Sequence, residues 1–76
     1  MEKSYTRQKR KELDLNFSQM ACKSGIPLST YKRIDMGFDL RQTQYRYIEG
    51  LAQAFGLTVE ELIKNDAEFK ENEEAD

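Results

Sequence analysis

The 76-residue chain contains no histidine and no tryptophan, and it has one cysteine and one proline. The missing imidazole excludes a histidine-based acid–base relay and a histidine-ligated metal site, and a single thiol completes neither a zinc tetrad nor a disulfide. A domain this small also offers little pocket in which carboxylates could acquire catalytic pKa values. We therefore expect no enzyme activity, no metal and no cofactor. We expect Cys22 to be a small packed hydrophobic residue rather than a reactive thiol.

Long apolar runs are also missing. No stretch approaches the ~18 apolar residues that span a bilayer, and the first residues lack the apolar segment of a secretory signal. We expect a cytoplasmic protein with no membrane partner. Hydrophobic residues make up 38% and charged residues 34% of the chain, a mixture typical of a soluble globular domain. The length allows one domain with a single small core.

Charge is distributed unevenly along the chain, although the formal net charge is only -2. Residues 1–46 contain ten basic and five acidic residues, whereas residues 66–76 contain six acidic residues and a single base, Lys70. The basic part is compatible with a polyanionic partner. The sequence predicts a domain at residues 1–65, followed at residues 66–76 by an acidic tail in which a fraying helix passes into disorder.

Glycine and proline divide the chain into short segments with helical spacing, at Gly25, Pro27, Gly37 and Gly56. No segment alternates with period two for long enough to indicate a strand. The pattern predicts an all-α fold of five short helices. These are a polar, loosely held helix at about 4–14, helices at about 17–23 and 27–36, a fourth capped by Thr43, and a fifth after a capping box at Thr58 and Glu61.

Residues 16–37 form the most informative segment, which is a two-turn helix, a glycine corner and a second helix. Asn16 and Gln19 match a capping box. Ala21 supplies the small residue where two helices meet, and Gly25 tolerates a left-handed backbone four positions later. The side chains expected to fill the angle between the two helices are Met20, Ile26 and Ile34.

The third helix has two different faces at about 100° per residue. Tyr31 and Ile34 fall on one side. The other side carries Leu28, Ser29, Lys32 and Arg33. Such a helix suits a DNA major groove, where its cations can reach guanine or phosphate, its serine either base type and its leucine a thymine methyl. A solvated polar face explains the two cations equally well, whereas an exposed Leu28 favours a binding surface.

Residues 6–63 resemble the Cro and phage-repressor type of helix-turn-helix, also called the xenobiotic-response-element type. The joint order and spacing of several motifs, rather than any single motif, makes the similarity specific. These are Arg10, Asn16, Ala21, Gly25, Ile26, Ser29-Thr30, Arg33-Ile34-Asp35, Gly37, residues 51–57 and residues 59–62. The resemblance implies a compact five-helix, lambda-repressor-like domain. It also implies a repressor-like, sequence-specific transcriptional regulator that binds double-stranded DNA as a homodimer.

The resemblance further implies roles for individual residues. The residues implied to contact bases lie at the start and on the outer face of the third helix: Leu28, Ser29, Lys32 and Arg33. Contacts with the DNA backbone fall to the start of the second helix and the approach to the fourth, at Asn16, Phe17, Ser18, Arg41, Gln42, Thr43 and Gln44. Arg10 and Asp35 would form a structural ion pair. Phe17 and Tyr31 depart from the family pattern, because they stand where glutamine and a branched aliphatic residue are usual.

Two other functions remain open. Leu28, Phe17 and the net acidity favour a protein-interaction module on the same fold, such as an antitoxin or anti-regulator, whereas Lys32 and Arg33 oppose it. A thiol-dependent or carboxylate enzyme is the least favoured alternative.

A homodimer would place two reading helices about one turn of DNA apart. Candidates for its interface are apolar residues without an evident core position: Phe38, Leu40, Leu57 and Phe69.

Overall fold

Five α-helices follow one another in the computed structural model, which describes residues 3–75, with side chains as far as residue 72. They are α1 (Tyr5–Glu12), α2 (Phe17–Ser24), α3 (Leu28–Asp35), α4 (Tyr45–Phe55) and α5 (Val59–Ala75), with a 3₁₀ turn (Leu40–Gln42) before α4. No strand occurs in this part of the chain. The predicted all-α class and the five helices are confirmed. Within the same residues, none of the helices combines the length and the apolar composition needed to cross a membrane.

Reciprocal side-chain hydrogen bonds fix where α2 and α5 begin. The Asn16 side chain accepts from the Gln19 backbone N–H, and the Gln19 side chain accepts from the Asn16 backbone N–H, at 2.8 and 2.9 Å. Thr58 and Glu61 form the same arrangement before α5. α2 ends at Gly25, whose φ of 71° lies in the left-handed region that glycine adopts without strain. Both capping boxes and the glycine corner match the prediction.

The start of α4 differs from the prediction. Gln44, rather than Thr43, occupies the position before the first helical residue. The reason is the 3₁₀ turn (Leu40–Gln42), which occupies the residues just before α4. Asp39 caps this turn, because its side chain accepts a hydrogen bond from the Arg41 backbone N–H at 3.0 Å. The Thr43 side chain contacts the 3₁₀ turn instead of capping α4, since its hydroxyl donates to the Asp39 carbonyl at 3.4 Å. The longer connection between α3 and α4 is therefore an ordered turn.

The helix α5 continues beyond the predicted boundary at residue 65. It reaches Ala75, so the described part of the expected tail is helical. Asp66 is only 6% exposed, and its carboxylate lies 3.5 Å from the Lys70 ammonium group. Burial of Asp66 therefore joins the first turn of this segment to the domain. Residues 1, 2 and 76 of the predicted domain and tail lie outside the described residues.

The core lies where α2 packs against α3 and α4, and where α5 packs against α1 and α4. Leu40 is 1% exposed, so it belongs to the core, and its suggested place in a dimer interface is wrong. Phe38, Leu57 and Phe69 are half-buried. The buried core side chains are Met20, Ala21, Ile26, Tyr31, Ile34, Leu40, Ile48, Leu51, Ala52 and Leu62.

A close backbone contact joins α2 to α4 at Gly50. A Cβ atom at this position would overlap the carbonyl oxygen of Ser24, the last residue of α2. The Ser24 hydroxyl is itself satisfied, because it donates to the carbonyl of Met20 at 2.7 Å. Glycine in the middle of α4 therefore allows the two helices to approach closely enough to bury Met20 and Leu51.

Candidate functional site

The side chains of α3 divide into a buried and an exposed set. Tyr31, Ile34 and Asp35 are buried. Leu28, the first residue of the helix, is 39% exposed. The exposed set coincides with the four residues predicted to read bases, namely Leu28, Ser29, Lys32 and Arg33. The structure therefore brings these four residues together on one surface, which we call the outer face of α3.

A buried carboxylate at Asp35 anchors α3 to α1. The predicted ion pair is present, with Arg10 Nε 2.9 Å from Asp35 Oδ1. The Tyr31 hydroxyl donates to the same oxygen at 2.8 Å. Arg7 Nε lies 3.2 Å from the other oxygen, Oδ2, and the Ser4 hydroxyl donates to the Asp35 backbone carbonyl at 2.9 Å. These five residues form the Asp35 cluster.

The protonation states in the Asp35 cluster follow from its hydrogen bonds and its burial. The hydrogen bond to Asp35 raises the pKa of Arg10, against the opposing effect of burial. Burial and the hydrogen bond to Asp35 raise the pKa of Tyr31, so the phenol stays protonated and remains a donor. Arg10 also donates to the carbonyl of Leu15 at 2.8 Å. The first helix is therefore firmly held by polar contacts, and the expectation of a loosely held α1 is wrong.

Ser4, Arg7 and Tyr31 were not predicted to contact Asp35. Arg7 lies three residues before Arg10 and therefore on the same face of α1, a spacing that could have indicated a second partner for Asp35. Tyr31 lies four residues before Asp35, so its phenol can reach the carboxylate along the same helix. The tyrosine at position 31 thus has a local role, because it supplies a donor to a buried charge.

Phe17 packs inward rather than toward a DNA backbone. It is half-buried and contacts the core. Its ring centroid lies 4.6 Å from the guanidinium carbon of Arg10 and 6.4 Å from the ring centroid of Tyr31. The Phe17 side chain therefore extends the Asp35 cluster, which leaves it unsuited to the predicted backbone contact. At the same helix start, Asn16 is engaged in its capping box, and Ser18 is exposed.

The second predicted backbone segment, residues 41–44, lies next to the outer face of α3. A cleft of about 230 Å³ separates the two. It is lined by Thr30, Arg33, Phe38, Gln42, Thr43, Gln44 and Tyr47. The structure therefore brings Arg33 together with three of the four residues of this segment.

The fourth residue of that segment, Arg41, is held by an acid. Its guanidinium lies 3.3 and 3.4 Å from the two carboxylate oxygens of Asp39. The backbone and side-chain hydrogen bonds from Arg41 lower the pKa of Asp39, which keeps the acid ionised. Because the Arg41 side chain is 71% exposed, a surface ion pair of this kind exchanges readily with a stronger anion.

Cys22 is exposed, so the expectation of a packed cysteine is wrong. The buried face of α2 is formed by Met20, Ala21 and Ser24, and Cys22 lies off that face at helical spacing. Among the described residues, no cluster of three histidine, cysteine or acidic side chains is arranged to hold a metal ion.

The chain matches no protein-family model, no curated protein and no solved structure in the comparisons with known proteins. The placement and chemistry of its own side chains are therefore the basis for assigning a function.

Proposed function

We propose that this chain is a sequence-specific transcriptional regulator that binds double-stranded DNA through a lambda-repressor-like helix-turn-helix. One observation above all supports the proposal. The outer face of α3 exposes Lys32 and Arg33, while Tyr31 and Ile34 are buried on its other side and the buried Asp35 anchors the helix to α1. A short helix that is fixed on one side and cationic on the other is suited to enter a major groove.

The side chains on the outer face match the donors and apolar groups that read base edges. Arg33 can donate two hydrogen bonds to a guanine, and Lys32 can reach guanine or a phosphate. Ser29 can serve either base type, and Leu28 can contact the methyl group of thymine. One such helix reads few base pairs, so we propose that the chain acts as a repressor-like homodimer on two half-sites about one helical turn apart.

Phosphate contacts are proposed on both sides of α3. On one side, Ser18 in the first turn of α2 is exposed, and its hydroxyl and backbone N–H can hold a phosphate. On the other side, Arg41 leaves Asp39 for a phosphate, and Gln42 and Gln44 provide side-chain donors. These contacts position the protein on the duplex and carry little sequence information.

Fluorescence anisotropy with duplex DNA of mixed sequence tests the proposal. Affinity should fall steeply as salt rises, because the bound protein displaces counterions from phosphates. Arg33→Ala should cost about 1–3 kcal/mol on a selected duplex and relax the preference at one base pair. Arg41→Ala should weaken binding to all sequences alike. Lys64→Ala, which removes an exposed cation from α5, is the matched control for a change of net charge alone.

Two results would contradict this function. The first is an affinity for duplex DNA that is absent at low salt or insensitive to salt. The second is an Arg33→Ala variant whose affinity and sequence preference match those of Lys64→Ala. The homodimer is a separate part of the proposal. Sedimentation at tens of micromolar should show a dimer, and a monomer at that concentration would contradict the homodimer alone.

A protein-interaction module on the same fold is the second candidate function. Two apolar side chains favour it, since Leu28 is 39% and Tyr45 62% exposed. Exposed leucine and tyrosine suit a protein partner as well as a DNA groove. Absence of duplex affinity in the anisotropy assay would favour this candidate over the regulator.

A further inference from the structure

The end of α3 is closed by a Schellman motif. The Gly37 N–H donates to the carbonyl of Ile34 at 3.0 Å, and the Phe38 N–H donates to the carbonyl of Arg33 at 3.0 Å. Gly37 adopts a φ of 111°, a conformation that side chains rarely allow. In this motif the residue after the glycine returns over the last turn of the helix, where it meets the side chain five residues earlier.

That geometry places the Phe38 ring against the Arg33 guanidinium. The guanidinium carbon of Arg33 lies 4.5 Å from the centroid of the Phe38 ring, well within the range of a cation–π contact. Phe38 is half-buried, and it is not one of the described side chains that pack against the hydrophobic core. This aromatic ring therefore contacts a cation on the outer face of α3 without being part of the hydrophobic core.

We propose that Phe38 is a positioning residue that holds Arg33 for base reading and thereby sets the base preference of the site. This inference rests on the proposed DNA-binding function. A free arginine side chain loses much rotamer freedom when it binds, and a stacked one has lost part of that freedom beforehand. A guanidinium that stacks on an aromatic ring does so through its flat face, whereas guanine is bound by the donors at its edge. Both contacts can therefore exist together.

The other cation on the outer face is held less firmly. The Lys32 ammonium group lies 6.0 Å from the Phe17 ring centroid, which is at the limit of a cation–π contact. An ammonium group also lacks the flat face and the fork of donors that a guanidinium has. We therefore expect the base pair read by Arg33 to be the most strongly specified position of each half-site.

A purely structural role for Phe38 makes a different prediction. If the ring only covers the end of α3, Phe38→Leu lowers the melting temperature and leaves the base preference unchanged. Phe38→Tyr keeps a ring face for the guanidinium and should preserve the preference. Phe69→Leu makes the same chemical change at a half-buried phenylalanine in α5 and serves as the control.

The experiment combines a DNA-independent and a DNA-dependent measurement on the whole chain. NMR of the Arg33 side chain reports the stack, because ring-current shifts of its protons should disappear in Phe38→Leu and persist in Phe38→Tyr. Selection from random duplexes then identifies the preferred sequence and the base pair lost in Arg33→Ala. Phe38→Leu should lose preference at that base pair alone and weaken the selected duplex between about threefold and thirtyfold.

A double-mutant cycle with Arg33→Ala decides whether Phe38 acts through Arg33. Phe38→Leu should have no further effect on affinity in the Arg33→Ala background. An equal loss in both backgrounds, or a Phe38→Leu variant that keeps the preference, would overturn the positioning role while the regulator proposal survives. A wild-type chain that selects no sequence and shows no salt-dependent duplex affinity would overturn the regulator proposal itself, and the positioning role with it.

Discussion

Replacing Gly50 by alanine tests the close contact between α2 and α4 through the sign of its effect. In an exposed helix, alanine stabilises relative to glycine by about 1 kcal/mol, because glycine loses more backbone freedom on folding. Gly50 has helical geometry in the middle of α4, so helix propensity alone predicts a gain in stability. The added methyl group, however, would overlap the carbonyl oxygen of Ser24.

The packing cost should exceed the gain in helix propensity. Ser24 contributes a backbone oxygen, which cannot rotate away as a flexible side chain would. Relief requires α2 to move away from α4, which would loosen the packing around Met20 and Leu51. Overpacking of this kind typically costs about 1–3 kcal/mol, and the upper end applies because the obstacle is backbone. After subtraction of about 1 kcal/mol for propensity, we expect a net loss of about 2 kcal/mol.

Thermal and urea unfolding, followed by circular dichroism, measure this loss. For a domain of this size, about 2 kcal/mol corresponds to a decrease in melting temperature of roughly 8–16 °C. Gln53→Ala changes an exposed position in the same helix and should alter stability by only a few tenths of a kcal/mol. Adding Ser24→Ala to Gly50→Ala should not restore stability, because the obstructing atoms belong to the backbone. A melting temperature that stays constant or rises in Gly50→Ala would refute the packing described for α2 and α4.

Two further changes address the buried charges. Tyr31→Phe removes the hydroxyl that donates to Asp35 and should lower the free energy of unfolding by about 2 kcal/mol in urea titrations. Tyr45→Phe at an exposed ring is the control, and equal midpoints for the two variants would contradict the role of the hydroxyl. Burial raises the pKa of Asp66 in the folded state. The protonated carboxyl group is therefore favoured by folding, and its contribution to the free energy of unfolding is fully present below the unfolded pKa near 4. This contribution is lost as pH rises through the folded pKa. Asp66→Asn should therefore raise the melting temperature at about pH 7 and should no longer raise it below about pH 4. The control is Glu68→Gln at an exposed position in the same helix. An equal shift in melting temperature at both pH values, or an equal gain from the control, would contradict this linkage.

The features that the sequence predicted well depend on neighbours within one helical turn. The capping box at Asn16 and Gln19 needs only two side chains three positions apart, and its hydrogen bonds are present. The same holds for the left-handed turn at Gly25, because the backbone conformation there follows from the residue itself. The two faces of α3 were also predictable, since the helical period assigns each side chain a direction.

The features that the sequence did not predict depend on distant residues or on weak periodicity. The Ser4 hydroxyl meets the backbone of Asp35 across 31 positions of the chain, a distance over which no local pattern gives information. Asp39 caps a 3₁₀ turn before α4. Because of this turn, α4 begins after Gln44 rather than after Thr43. Cys22 lies in a helix of only two turns, and so short a helix leaves the position of its apolar face poorly determined.

The Asp35 cluster bears on function through the orientation of α3 more than through net stability. A buried ion pair contributes little net stability, because desolvation offsets much of the attraction between the charges. The directional bond from Arg10 of α1 to the Asp35 carboxylate nevertheless restrains the rotation of α3 about its axis, which apolar contacts alone would leave freer, and the Tyr31 bond within α3 holds that carboxylate in place. At a helix radius of about 5–6 Å, a rotation of about 10° moves a side chain by about 1 Å, and a binding group needs placement within about 0.5 Å. Asp35 lies two residues after Arg33, so the ion pair that holds α3 against α1 also sets the direction in which the Arg33 side chain leaves the helix, and the contact with Phe38 then positions its guanidinium.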